Sequence, residues 1–276
     1  MGVTARIWDP SGSRLPVTIK YRIDVQQLWQ EGLAWEEQVG PEQRAMWEEN
    51  LIQMQKLRDF PMKRCLKPPN ATTEAPQLHA FSDGGDQAFG TCIFVRWLTT
   101  TGVELRFIAA KAFVAPLKHK TTPRLELMGA VAMGRLMTEV ETALPYDFSA
   151  RAFWIDSEVV IHWVNSVSSR YKPFVSCRIQ ELQDTHTNLA NEVRYVPSSE
   201  NPADALTKPI PVEELESWHN GDSCKFLKLD EQFWPNKVEI NVESLKPVLE
   251  EKPPVTKQQK KIKKFRGSPT LIHGHN

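Results

Sequence analysis

Leu78, Ala80 and Ser82 alternate with His79, Phe81 and Asp83, the two-residue period of a strand. The run breaks at Gly84-Gly85, a turn signal, and resumes as a second strand from Ala88 to Trp97. A third follows from Val103 to Val114 after Thr100-Gly102, so the three form an antiparallel meander. Thr121-Thr122-Pro123 then opens a helix, with a Thr cap and an early Pro. Its apolar stripe is Leu125, Met128, Gly129, Ala132, Met133, Leu136 and Val140, and Pro145 lies beyond its end. Ala150 to Ile155 is a short apolar run ending at Asp156, the pattern of a central strand covered on both faces. A short helix over Ser157–Val164 follows, then one opened by Pro173 with Val175, Ile179, Leu182 and Leu189 inward. Glu192–Val196 reads as a fifth strand, and Asn201-Pro202-Ala203-Asp204 as the start of a last helix.

Strands four and five are reached through helical crossovers, so they run parallel. The predicted fold class is α/β: a five-stranded mixed sheet, three antiparallel strands then two parallel, with helices on both faces. Before the sheet, Val17, Tyr21, Val25 and Leu28 mark a helix from Pro16 to about Leu33. Trp47, Leu51, Met54 and Leu57 mark a second, opened by Pro41. Trp29, Trp35 and Trp47 are expected to pack rather than to stack on a ligand. The expected organisation is a helical connection segment over 1–60, a Pro-, Thr- and Lys-rich linker over 61–77, the mixed α/β domain over 78–210, and an irregular extension over 211–276.

Charge adds little to this picture globally, since 34 Lys and Arg balance 34 Asp and Glu. Locally, Lys252–Arg266 carries seven basic residues and reads as either a solvated tail or a nonspecific phosphate binder. Four dispersed cysteines argue against a disulfide scaffold or a zinc site. No apolar run approaches the roughly 18 residues of a membrane span, and no signal-peptide core opens the chain. The expectation is an intracellular protein, cytoplasmic or nuclear, without a membrane partner.

The candidate chemistry lies in four carboxylates at element boundaries. Asp83 ends strand one, Asp156 ends strand four, Glu126 lies in the first turn of the long helix, and Asp204 in that of the last. Strands one and four should be neighbours, so all four acids can meet at one sheet edge. Taken singly, Asp83 can cap its turn, Asp156 the following helix, and Glu126 and Asp204 can complement helix dipoles. Together they repel, and no four matching cations lie near them in sequence. Hard divalent cations would resolve this, because Mg²⁺ takes oxygen ligands, and two such ions can run phosphodiester hydrolysis.

Phe-Ser-Asp83, Pro-Arg-Leu-Glu126-Leu, Trp-Ile-Asp156-Ser and Asn-Pro-Ala-Asp204 resemble the ribonuclease H domain of BEL/Pao-type retrotransposon polyproteins, a family also named Pao retrotransposon peptidase. Arg6-Ile7-Trp8-Asp9-Pro10, Pro16-Val17-Thr18-Ile19-Lys20 and Leu28-Trp29 resemble the segment joining the reverse transcriptase thumb to that domain. The resemblance spans roughly Thr4 to Pro211, without a polymerase palm or an integrase start, and so implies a fragment that would act with a reverse transcriptase domain. It implies a ribonuclease H-like fold and a two-metal nuclease with Asp83, Glu126, Asp156 and Asp204 holding two Mg²⁺, or Mn²⁺ in their place. The implied substrate is the RNA strand of an RNA–DNA hybrid, with Gly84, Gly85, Ser157 and Arg124 as substrate contacts. Glu126 is implied to approach a ribose 2′-hydroxyl.

Two departures stand out against the resemblance. The loop Pro197-Ser198-Ser199-Glu200 lacks the histidine that many cellular ribonucleases H carry there, and only Arg170 and Lys172 stand where some members have a basic helix. The competing expectations are an idle or domesticated domain that binds nucleic acid or a protein partner, and an aspartic peptidase. The second needs two Asp-Thr/Ser-Gly loops. Ser82-Asp83-Gly84 has the wrong order and no second copy.

Overall fold

The structure is a computed structural model and describes residues 8–253 apart from Trp35, Arg64 and 236–239. The sheet has five strands, β1 (Gln77–Gly84), β2 (Ala88–Thr99), β3 (Gly102–Val114), β4 (Ala150–Ile155) and β5 (Val193–Tyr195), in the order β3-β2-β1-β4-β5. β1, β2 and β3 pair antiparallel, while β4 runs parallel to both β1 and β5. This is the mixed sheet expected from the pattern, with β1 and β4 adjacent at its middle.

The period of two sorts the strand residues onto two buried faces. Leu78, Ala80, Ile93, Val95, Trp97, Phe153 and Ile155 face helices α3 (Thr122–Ala143), α4 (Glu158–Val164) and α5 (Pro173–Thr185). Phe81, Cys92, Phe94, Ala152 and Trp154 face α1 (Leu15–Gln30), the turn at Pro202–Leu206 and later residues up to Trp234. The apolar stripe of α3 is wider than expected: Leu127, Ala130, Val131 and Met137 are buried as well, whereas Met128 is half-buried. A helix covering three strands needs more than one row of apolar contacts.

Several local readings are corrected. The Pro202–Leu206 segment is one 3₁₀ turn rather than a helix, with Pro209 close behind to stop it. Thr121 makes no side-chain cap on α3, whereas Ser157 caps α4 by accepting from the Val160 N–H. Leu189 is buried but belongs to the separate short α6 (Leu189–Glu192). α2 (Pro41–Arg58) buries only Asn50 and Leu57, with Leu51 44% exposed. Trp29 is exposed, Trp47 is partly buried, and Trp35 lies outside the described residues. Val25 of α1 is half-buried, while Val17, Tyr21 and Leu28 are buried.

Residues after Ile210 are irregular in pattern yet deeply packed. α7 (Leu215–His219) and the turns after it bury Leu215, Trp218, Phe226, Leu227 and Trp234 against the sheet. The segment before β1 is tied to the end of β2 by bonds from the Thr72 N–H to the Leu98 carbonyl and from the Thr100 N–H to that of Asn70. The basic run of the tail lies outside the described residues from 254 onward.

Candidate active site

Asp83 and Asp156 are aligned by register. Phe81 is paired with Trp154 across the β1–β4 ladder, and Ser82 with Ile155, so the next residues, Asp83 near the end of β1 and Asp156 just past β4, lie side by side. Phe81 and Trp154 stack at 6.0 Å beneath them on the same face. Adjacent parallel strands thus deliver two acids to the carboxyl end of the sheet, where open α/β sheets place their sites.

Glu126 arrives from the opposite face. A Cβ on Gly84 would lie 2.3 Å from the Glu126 backbone nitrogen, and one on Gly129 would lie 2.6 Å from the Asp83 carbonyl oxygen. Glu126 is the fifth residue of α3 and so lies just past its first turn rather than in it, and this stretch of the helix sits directly on the end of β1, which only glycine on both partners allows. Gly84 lies within β1, and the turn occupies only 85–87, closed by the Gly85 N–H donating to the Ala88 carbonyl. What reads in the sequence as punctuation is a helix-docking site.

Asp204 is brought in by the 3₁₀ turn. The Asn201 amide donates to the Ser82 carbonyl at 3.0 Å while its oxygen accepts from the Ala203 N–H, pinning the turn to β1. The Trp218 indole N–H donates to the Pro202 carbonyl at 2.8 Å from behind. Leu206 packs onto Gly90, where a Cβ would lie 2.8 Å from the leucine Cβ.

Every one of the four acids lies within electrostatic reach of at least two others. Burial holds the Asp83 carboxyl above its ordinary range, opposed by the Thr207 hydroxyl bond and reinforced by the charges of Asp156 and Asp204. Burial also pushes Glu126 up to about 7, against its bond from Ser157 and with help from Asp156 and Asp83. Asp156 is raised by burial too, with bonds from Ser198 and Asn201 pulling the other way.

Each acid is held by at least one polar side chain. Thr207 Oγ1 donates to Asp83 Oδ2. Ser157 Oγ donates to Glu126 Oε2 at 2.5 Å, Ser198 Oγ to Asp156 Oδ2 at 2.9 Å, and Lys208 Nζ to Asp204 Oδ1 at 2.6 Å. As the side chains stand, no group of three or more His, Cys, Asp or Glu among the described residues is arranged to hold a metal ion. Thr207, Ser198 and Lys208 were not singled out in the sequence. Thr207 and Lys208 lie three and four residues after Asp204, a spacing that could have flagged them. Ser157 adjoins Asp156, and Gly85 lies beside Thr207. Arg124, by contrast, is bound to Glu250.

Among the described residues no helix is long and apolar enough to cross a membrane. No curated protein matches the sequence. Among solved structures, the chain is similar to the N-terminal RNase H domain of a Mycobacterium tuberculosis protein fused to maltose-binding protein, at 17% identity. That match covers 52% of this chain and 96% of the other, with a TM-score of 0.33. It is also similar to RNase H1 from the halophilic archaeon Halobacterium salinarum, at 16% identity over 51% of this chain and 98% of the other, with a TM-score of 0.33. The family model of the Pao retrotransposon-like RNaseH-like domain matches residues 1–157, the stretch that holds Asp83, Glu126 and Asp156. That match spans more than half of the sequence, and the chain belongs to the Pao retrotransposon-like RNaseH-like domain family.

Proposed function

We propose that this chain is a divalent-metal-dependent ribonuclease H that hydrolyses the RNA strand of RNA–DNA hybrids, with Asp83, Glu126, Asp156 and Asp204 as its metal-holding acids. The observation that carries this is the gathering of four carboxylates, each within electrostatic reach of at least two others and three of them pushed above their ordinary range. Among structural reasons to keep acids apart, none favours crowding four at one edge; an oxygen-only donor set with surplus negative charge suits hard divalent cations. The hydroxyl bonds from Thr207, Ser157 and Ser198 offset the effect of burial only in part.

Two Mg²⁺ ions, or Mn²⁺, supply an activated water and stabilise the leaving oxygen when bound there. The chain's own part is positional. Asp83 and Asp156 are fixed by strand register, Glu126 by the glycine contact between α3 and β1, and Asp204 by Asn201. Glu126, just beyond the first turn of α3, is the acid suited to meet a ribose 2′-hydroxyl, and Ser157 and Arg124 flank it as substrate contacts. The Gly85 N–H is spent on Ala88, so Gly84-Gly85 serves the substrate strand by close approach rather than by donating there. The products would carry 5′-phosphate and 3′-hydroxyl ends, and a reverse transcriptase domain would be the natural partner for delivering hybrid.

The test is cleavage of an end-labelled RNA strand annealed to DNA, in Mg²⁺, by wild type and by Asp83→Asn. Wild-type cutting that the variant loses supports the proposal. Equal cutting by both, or hybrid binding without cutting by wild type, refutes it, the latter in favour of an idle nucleic-acid-binding domain.

A further inference from the structure

Arg124 precedes Glu126 by two residues in the first turn of α3, and its guanidinium lies 4.7 Å from the centroid of the Phe174 ring. Arg178 stacks on the same ring at 3.6 Å, and Lys120 Nζ stands 5.3 Å from it. Three cations around one aromatic ring repel one another and need an anion. The Arg124 fork is filled by Glu250: Nε donates to Oε1 at 2.5 Å and Nη2 to Oε2 at 2.6 Å. That pair holds the Glu250 carboxyl below its ordinary range, with the Lys172 charge adding to it.

Glu250 reaches Arg124 in an unusual backbone state. Its φ is +53°, and it is the one non-glycine residue with positive φ among the described residues. The strap that holds it there is well fastened. Leu249 is buried and its carbonyl accepts from the Trp163 indole at 2.9 Å. The Lys172 N–H donates to the Glu250 carbonyl, and the Lys252 N–H to that of Arg170. Backbone strain gathered at a charged clamp beside a candidate active site points to a role for the clamp. Fork geometry that suits a carboxylate suits a phosphate equally.

We propose that Arg124, Phe174 and Arg178 form a binding site for a nucleic-acid phosphodiester, and that Glu250 is a built-in occupant which the incoming phosphate must displace. The proposal rests on the nuclease reading, because the phosphate is taken to belong to a hybrid engaged at the four acids. Glu250 then restrains the domain until a hybrid long enough to reach Arg124 competes it away.

The experiment measures binding of a fluorescein-labelled RNA–DNA hybrid by anisotropy in EDTA, where nothing is cut, for wild type, Glu250→Gln, Arg124→Gln and the double variant. Glu250→Gln should bind at least about fivefold tighter, the lower end of ordinary coupling between sites. That gain should vanish in the Arg124→Gln background. In wild type, adding hybrid should speed amide hydrogen exchange at Lys172 and Lys252, a readout that needs no variant and that a purely structural tie would not show. Unchanged affinity of a folded Glu250→Gln, a gain that survives Arg124→Gln, or unaltered exchange overturns the proposal. Mg²⁺-dependent cutting by wild type is scored separately: cutting with no effect of Glu250 removes the strap alone, and no cutting by either protein removes the reading beneath it.

Discussion

Removing the charge of Glu126 should stabilise the metal-free protein, and only toward neutral and alkaline pH. The folded carboxyl titrates at about 7 against an ordinary 4.5, chiefly because it is buried. A folded pKa above the unfolded one means the folded state keeps a proton the unfolded state has lost. Stability therefore falls as pH rises from the ordinary value to the folded one, and the cost is complete above it. A shift of this size is worth up to about 3 kcal/mol. Glu126→Gln abolishes it while its amide oxygen can still accept the Ser157 hydroxyl, now 2.5 Å from the carboxylate. For a domain of this size a gain of that order raises Tm by roughly 6–10 °C. Thermal unfolding in EDTA, followed by circular dichroism from pH 4.5 to 8.5, reads the difference directly. The curves should coincide at the acid end and separate as pH rises. A variant that is less stable at pH 8, or a difference independent of pH, would refute the burial argument.

Gly84→Ala should cost about 1–3 kcal/mol, because its Cβ would fall 2.3 Å from the Glu126 nitrogen and α3 would have to move; denaturant unfolding checks this. His79 is buried, accepts from the Trp154 indole at 3.1 Å through Nδ1, and titrates at about 3 because burial disfavours its charged form. Its folded pKa lies below the unfolded value, so stability is lost as pH falls from 6.5 toward 3, by up to about 5 kcal/mol. His79→Gln should flatten that acid limb, as measured by urea midpoints at several pH values. On the flank, Asn50 donates to Asp24 at 2.7 Å in a buried contact between α2 and α1. Asn50→Ala should therefore cost about 1–3 kcal/mol, whereas Leu51→Ser on the exposed side should stay within about 0.5 kcal/mol.

The sheet was legible in the sequence because its strands carry their burial in their pattern. Ala150–Ile155 is one apolar run bounded by Asp156, and β1 keeps a strict alternation that separates Leu78 and Ala80 from Phe81. That four acids could gather at one sheet edge was legible for a related reason, since strand ends and turn starts are marked locally, although Glu126 lies past the first turn of α3 and Asp204 in a 3₁₀ turn. What escaped depends on contacts between distant segments. Gly84 announces a turn to its neighbours, and only the docking of α3 gives it another purpose. Asn-Pro opens a helix or a 3₁₀ turn with the same signal, and the choice rested on how little chain remained before Pro209. Leu51 fits the spacing of its helix yet stays exposed, because α2 turns Trp47, Met54 and Leu57 to the core and Asn50 to Asp24 of α1. Trp218 and Trp234 are buried in short turns that have no period to read. Glu250 gives no sign in sequence of its partner 126 residues away.

The proposed nuclease requires Asp83, Glu126, Asp156 and Asp204 to act as one cation site. Titration calorimetry of Mn²⁺ into the metal-free protein tests it most directly, with Asp83→Asn and Asp204→Asn beside wild type. Saturable Mn²⁺ binding is expected in wild type, lost in Asp83→Asn and weakened in Asp204→Asn. Absence of binding in wild type, or binding that both variants retain unchanged, would contradict it.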